Sequence, residues 1–166
     1  MDDIKDSIVE LIPRLRRYAR AMTGNSARAD DLVQDALERA WSKRYLWRRG
    51  SDLRAWLFTI MHNVFVNQLR HNHEAQDHTP FDENESPELA VADHALAMRD
   101  LARALEQLPK EYREVVLLVG MEQMTYSEVA KVLGVPLGTI MSRLSRGRER
   151  LRALMSGQTT VLRRVK

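Results

Sequence analysis

Residues 126–151, YSEVAKVLGVPLGTIMSRLSRGRERL, decide how this chain folds. Thr125 followed three residues on by Glu128 forms a capping box, in which the hydroxyl and the carboxylate each accept from an otherwise orphaned backbone N–H at a helix start. A helix is predicted from Tyr126 to about Leu133. Gly134 ends it, and Val135-Pro136 opens the next at once, because proline's fixed φ and missing N–H suit a first helical turn. Helices joined this tightly cross steeply. On the second, Ile140, Leu144 and Leu151 recur at helical spacing and are predicted to pack inward, while Thr139, Arg143, Arg146 and Arg150 share another face. In a helix-turn-helix such a cationic face enters the major groove, where arginine bonds guanine bidentately or holds phosphate. Gly138, near the helix start, would let the backbone approach phosphate closely. An arginine-rich face alone is usually a solvated surface; the cap, the Gly-x-Pro turn and the one-sided arginines together favour DNA binding.

With 166 residues, 44% hydrophobic and 30% charged, the chain has room for one ordinary domain or two small ones. No apolar run approaches a membrane span, and the acidic start MDDIKDSIVE is unlike a signal peptide, so a cytoplasmic chain without membrane insertion is expected. The absence of cysteine excludes disulfides, thiolate zinc sites and cysteine nucleophiles. The net charge of +3 conceals a segregation: residues 74–95, EAQDHTPFDENESPELAVADHA, hold seven carboxylates and no Lys or Arg, and subtracting that −7 from +3 leaves +10 on the rest. Prolines, like charges and sparse apolar residues make 74–95 a flexible acidic linker by expectation, and a basic body suits a polyanionic partner.

Residues 4–22 place Ile4, Ile8, Leu11, Ile12, Leu15, Tyr18, Ala19 and Met22 at helical spacing, with Pro13 predicted to kink the helix or to start a second one. Thr23-Gly24-Asn25 ends this element. Ser26 is the expected cap of a helix with Ala29, Leu32, Val33, Ala36, Leu37, Ala40 and Trp41 inward. Its other side carries Asp30, Asp31, Gln34, Asp35, Glu38 and Arg39; the macrodipole favours acids near a helix start, and the same stripe suits docking. Residues 42–52, SKRYLWRRGSD, interleave Lys43, Arg44, Arg48 and Arg49 with Tyr45 and Trp47. Single-stranded bases stack on such rings while cations hold phosphates, although two large aromatics in a loop equally suit plugging its own core. Ser51 or Asp52 caps a helix from Leu53 to about Arg70, with Trp56, Leu57, Ile60, Met61, Val64, Phe65 and Leu69 inward and Arg54, His62, Asn63, Asn67, Gln68 and Arg70 outward. Beyond the linker, helices are predicted over 96–108 and from Pro109 through Val119, closed by Gly120, and residues 157–166 form a basic, frayed tail. The expected fold is all-α: a first domain over 1–73, the linker over 74–95, and a helix-turn-helix domain over 96–156.

Four segments in this order, ADDLVQDALERAW (29–41), RAWLFTIMHNVFVNQLR (54–70), ALEQLPKEYREVVLL (104–118) and YSEVAKVLGVPLGTIMSRLSRGRERLR (126–152), resemble the small two-domain extracytoplasmic-function (ECF) sigma factors of the sigma-70 superfamily over nearly the whole chain. The resemblance implies a dissociable subunit that directs core RNA polymerase to promoters. Asp31, Gln34, Asp35 and Glu38 would dock on the coiled coil of the polymerase β′ subunit, with a further contact to the β flap. Arg39, Trp47, Arg48, Ser51, Trp56 and Asn63 would capture and melt the minus-10 element, and Thr139, Met141, Ser142, Arg143 and Arg146 would read the minus-35 element. Within the first set Asn63 offers donor and acceptor to a base edge, and Trp56, on an apolar stripe, is part core and part wedge. The resemblance also implies an anti-sigma partner, and no catalytic residue, cofactor or metal.

This chain departs from the family pattern at three places. Met141 stands where Lys or Arg is common, so a phosphate or base contact is lost or replaced by apolar contact with a thymine methyl. Gly147 stands where alanine is usual, at a cost to the helix of about 1 kcal/mol. The loop Trp47-Arg48-Arg49-Gly50 differs from the usual Phe-containing pattern. Two other readings weigh less. A polymerase-independent helix-turn-helix regulator leaves the aromatic and cationic loop without a purpose, and a sigma-like adaptor that sequesters an anti-sigma protein is expected to carry a receiver domain and to lack the basic face. His62, His71, His73, His78 and His94 have no compact ligand spacing and read as solvated side chains rather than a metal site.

Overall fold

The computed structural model describes residues 2–75 and 92–164. Among the described residues seven α-helices follow one another: α1 (Asp2–Thr23), α2 (Ser26–Ser42), α3 (Leu53–Ala75), α4 (Ala92–Gln107), α5 (Lys110–Gly120), α6 (Tyr126–Leu133) and α7 (Leu137–Arg164). A 3-10 turn over Arg44–Leu46 separates α2 from α3. No strand occurs among the described residues, in keeping with the all-α expectation. Residues 76–91 of the expected acidic linker lie outside the described residues, while 74–75 belong to α3 and 92–95 to α4.

Local chemistry explains most helix ends. The capping box is complete: Thr125 Oγ1 accepts from the Glu128 N–H at 3.2 Å, and Glu128 Oε2 accepts from the Thr125 N–H at 3.0 Å. Gly134, at φ 66°, closes α6 in the left-handed conformation that glycine adopts without penalty. Pro136 then offers its carbonyl to the Thr139 N–H at 3.0 Å and opens α7.

Several boundaries differ from the sequence expectation. Helix α1 runs unbroken through Pro13. Pro13 and Val9, whose carbonyl loses its partner, are both exposed, so water satisfies the freed group. The cap of α2 is Asn25 rather than Ser26, its Oδ1 accepting from the Arg28 N–H at 3.0 Å. Asp52 is the one of two candidates that caps α3, accepting from the Ala55 N–H at 3.3 Å. After α5 the left-handed residue is Gln123, at φ 54°, and Gly120 lies in the last helical turn. Helix α7 continues to Arg164 where a frayed tail from 157 was expected, because no proline follows and a single glycine costs a helix only about 1 kcal/mol.

Helices α1 to α3 pack on one another, α4 to α7 do likewise, and one apolar core runs through both groups. Leu15, Tyr18, Met22, Leu32, Phe58 and Met61 fill the first part; Leu108, Val115, Leu118, Val129 and Ile140 fill the second. Helix α3 touches α2 on one side and α6 on the other. Being apolar on both sides, it buries Phe58, which its main stripe omits, edge-on against Tyr18 with ring centres 5.2 Å apart. In the second group, a Cβ on Gly147 would sit 2.8 Å from Val116 Cγ2 and 3.3 Å from Tyr112 Cβ. Gly147 therefore does more than weaken its helix: it lets α7 approach α5 more closely than alanine allows.

Where the two groups meet, polar contacts are added to the shared apolar core. Arg113 of α5 donates to the carbonyls of Leu105 (2.7 Å), Glu106 (2.8 Å) and Leu108 (2.9 Å) around the end of α4, and to that of Met22 in the last turn of α1. One guanidinium thus serves two helix C-termini, where the macrodipole is negative. Burial pulls its pKa below the usual arginine range, against the pull of nearby Glu106, Glu114 and Tyr18. His62 and Arg54, both expected to face outward, turn into this seam. His62 Nδ1 lies 2.8 Å from Glu114 Oε1, and Arg54 donates to the Glu122 carbonyl at 2.9 Å and pairs with Glu128 at 3.6 Å. Glu122 is fully buried beside Arg17 at 3.6 Å, and neither of its carboxylate oxygens has a hydrogen-bond partner among the described residues. Burial first, then Glu114 and Glu122, push the Tyr18 hydroxyl well above the ordinary phenol range.

Candidate nucleic-acid interface

The cap, the left-handed Gly134 and the Pro136 start set α6 across α7 in a helix-turn-helix. Ile140 and Leu144 point into the core, as their spacing predicts, and anchor α7 there. Its opposite side borders an open cleft of about 570 Å³ against the start of α5, lined by Gly138, Thr139, Ser142, Arg143, Arg146 and Arg150 from α7 and by Pro109, Glu111 and Tyr112. Four of the five residues expected to read the minus-35 element therefore share one concave surface. Met141 is exposed outside it. Arg150 lies over the Tyr112 ring, its guanidinium carbon 5.1 Å from the ring centre, which fixes the cation at the cleft's far end. Three arginines converging on a concave surface attract a polyanion.

In the first group of helices the expected docking residues Asp31, Gln34, Asp35 and Glu38 are all exposed on α2. Gln68 of α3 donates to Asp35 Oδ2 at 2.8 Å and holds that carboxylate in place. Beside the stripe runs an apolar groove of about 210 Å³ between Lys5, Ile8, Val9 and Ile12 of α1 and Leu37 and Trp41 of α2. Trp41, expected inward, is 45% exposed at the end of α2, with the Arg44 guanidinium stacked 4.3 Å from its ring centre. A helix end has no neighbour to cover so large a ring, and the cation covers it instead.

The expected minus-10 residues are spread along the loop and α3. Arg39, Arg48, Ser51 and Asn63 are exposed, and Trp56 is half-buried against the core. The loop is held by its own bonds, Ser51 donating through both its N–H and its hydroxyl to the Arg48 carbonyl. Trp47 turns partly inward with its indole N–H buried and without an acceptor among the described residues. The solvent-facing ring of the loop is Tyr45, next to the exposed Leu46. Tyr45 was not singled out as a site residue, and the aromatic and cationic composition of 42–52 was the signal for it.

Residues 8–62 match the family described as the Sigma2 domain of PhyR, and residues 98–151 match Sigma-70, region 4. The ECF RNA polymerase sigma factor EcfG of Rhodopseudomonas palustris is 36% identical over 93% of this chain and 86% of its own. The chain belongs to the ECF sigma factors. The family is one of sigma factors, which are not enzymes. Among solved structures, this ECF chain is similar to the sigma factor RpoE of Bartonella quintana, solved with the anti-sigma factor NepR, at 35% identity and a TM-score of 0.81 over 94% of this chain and 98% of that one. It is also similar to CnrH, solved with the cytosolic domain of CnrY, at 25% identity and a TM-score of 0.69 over 92% and 87%. No described helix of the ECF chain is long and apolar enough to cross a membrane.

Proposed function

We propose that this ECF sigma factor binds core RNA polymerase through the acidic stripe of α2 and places two DNA-binding surfaces on a promoter. The arginine-lined cleft between α5 and α7 carries this reading, with Thr139, Ser142, Arg143 and Arg146 at the minus-35 element. The first domain, 1–73, takes the minus-10 element with Arg39, Arg48, Ser51, Trp56 and Asn63; Tyr45 and Trp47 supply rings for unstacked bases. The apolar groove beside Asp31, Gln34, Asp35 and Glu38 supports a docking role for that face, since a partner helix gains both burial and charge there. The chain has no catalytic chemistry of its own, and polymerase supplies the active site.

Elements about 25 base pairs apart lie about 85 Å apart along a duplex at about 3.4 Å per step, whereas a compact chain of this length has a radius of gyration of about 15 Å. The seam between the two groups of helices therefore opens when both elements are engaged. The likeness to a sigma factor solved with an anti-sigma factor supports an anti-sigma partner; such a partner would block transcription by holding the seam closed. The test is co-purification with core polymerase, followed by transcription from a randomised promoter library with and without the chain. Binding together with newly used promoters that share two spaced elements supports the reading. DNA binding without polymerase association replaces it by a free-standing regulator. The match of 8–62 to the Sigma2 domain of PhyR keeps the adaptor reading in view, and failure of both activities selects it.

A further inference from the structure

Three large apolar side chains stand out from the helix-turn-helix into solvent: Tyr126 at the start of α6, and Leu137 and Met141 in the first two turns of α7, 48% and 53% exposed. At about 100° per residue, Leu137 and Met141 share one flank of α7, and Thr139, Arg143 and Arg146 occupy the opposite flank along the cleft. Gly138 and Ser142 lie between the two flanks, and a Cβ on Gly138 would meet nothing within 4 Å. The helix thus presents a cationic edge and an apolar edge on opposite flanks, with Gly138 and Ser142 between them. Neither Leu nor Met can donate to phosphate, so the apolar edge has nothing to offer the DNA backbone. The apolar feature of a major groove is the C5-methyl of thymine. From these observations, and resting on the minus-35 reading above, we propose that Leu137 and Met141 make this chain read thymine methyl groups at one side of the element while Arg143 and Arg146 hold its other side. The occupant is duplex DNA rather than protein because the edge lies on the N-terminal turns of the recognition helix, the part that enters the groove, and Gly138 and Ser142, which border it, line the cationic cleft.

The test uses core polymerase carrying the full chain and a promoter chosen from the randomised library, with each minus-35 thymine replaced in turn by deoxyuridine, which lacks the methyl. At one or two positions uracil raises the half-saturating holoenzyme concentration about fourfold, the discrimination that burying one CH2-sized group supplies. The difference vanishes in the double variant Leu137→Ala/Met141→Ala, whereas Arg146→Ala weakens thymine and uracil templates alike. Uracil templates that all perform like thymine overturn the proposal, as does a selected element with no thymine on either strand. A uracil effect that persists in the double variant also overturns it, and so does a double variant that binds DNA normally but loses a protein partner. Arg146→Ala without any effect instead removes the minus-35 reading itself, so the two failures are distinguishable.

Discussion

Helices α5 and α7 are joined by close apolar contact, whereas the joint between α3 and its neighbours in the other half adds polar contacts to the apolar core that both halves share. At the first joint Gly147 lets α7 sit against Val116 and Tyr112, and Val115, Leu118, Ile140 and Leu144 bury beneath it. At the second, Arg54 pairs with Glu128 and the Glu122 carbonyl, with His62 against Glu114 nearby. Apolar contact cannot be replaced by water, so the first joint keeps the recognition helix and its cleft as one body. Polar partners at a seam exchange for water at small net cost, and the proposed engagement of two promoter elements calls for that exchange at the second joint. Glu122 adds to this: it is buried beside Arg17 with no hydrogen-bond partner for its carboxylate among the described residues, and loads the closed seam with desolvation.

The comparison breaks first on the core. Phe58→Ala should cost about 3–5 kcal/mol in denaturant unfolding, through lost burial and the cavity left against Tyr18; a loss below about 1 kcal/mol would mean that α3 is not an apolar hub. Arg113→Ala strands four carbonyls at the ends of α1 and α4 and should cost about 2–3 kcal/mol, with a larger radius of gyration in solution scattering. An unchanged radius would place the seam's strength elsewhere. Gly147→Leu overpacks the α5–α7 joint by about 1–3 kcal/mol and should weaken minus-35 dependent transcription while leaving polymerase co-purification intact.

Tyr18 gives the pH dependence. Its folded pKa lies above the ordinary value of 10.0, so below that pH the phenol is neutral in both states and has no effect. Above it the unfolded chain ionises and the folded chain does not, and stability falls as pH rises, by up to about 1.4 kcal/mol per unit. Tyr18→Phe should flatten that slope in urea melts taken from pH 9 to 11; an unaltered slope would sink the assignment. The smallest effect is expected from Arg54→Ala, under about 1 kcal/mol because both partners of the ion pair are partly exposed. Its signature is faster hydrogen exchange over residues 122–128, and protection equal to wild type would show that the seam does not depend on this pair.

The helix-turn-helix was legible because its determinants are local. The capping box spans four residues, and the cleft's arginines repeat along one helix, so spacing alone places them. Helix α3 was legible only in part: its main stripe was visible, but Phe58 and His62 lie off it and face a second partner that periodicity cannot reveal. Trp41 was not legible because a residue on an apolar stripe is buried only if another helix covers it, and among the described residues the ring at the end of α2 is covered only in part, by the Arg44 guanidinium.

By itself the sequence determined the all-α fold, the capped start of α6 and its Gly134 stop, the cationic face of α7 and the family, since each depends on residues near one another in the chain or on ordered motifs. Tertiary structure alone decided the seam, because its bonds join residues 52, 68 and 91 positions apart. It also decided that Gly147 is a packing residue, and that Tyr45 rather than Trp47 faces solvent. The physical reason is common to all three: whether a side chain is buried, paired or free depends on which distant surface comes to lie against it, and that is settled only when the helices pack.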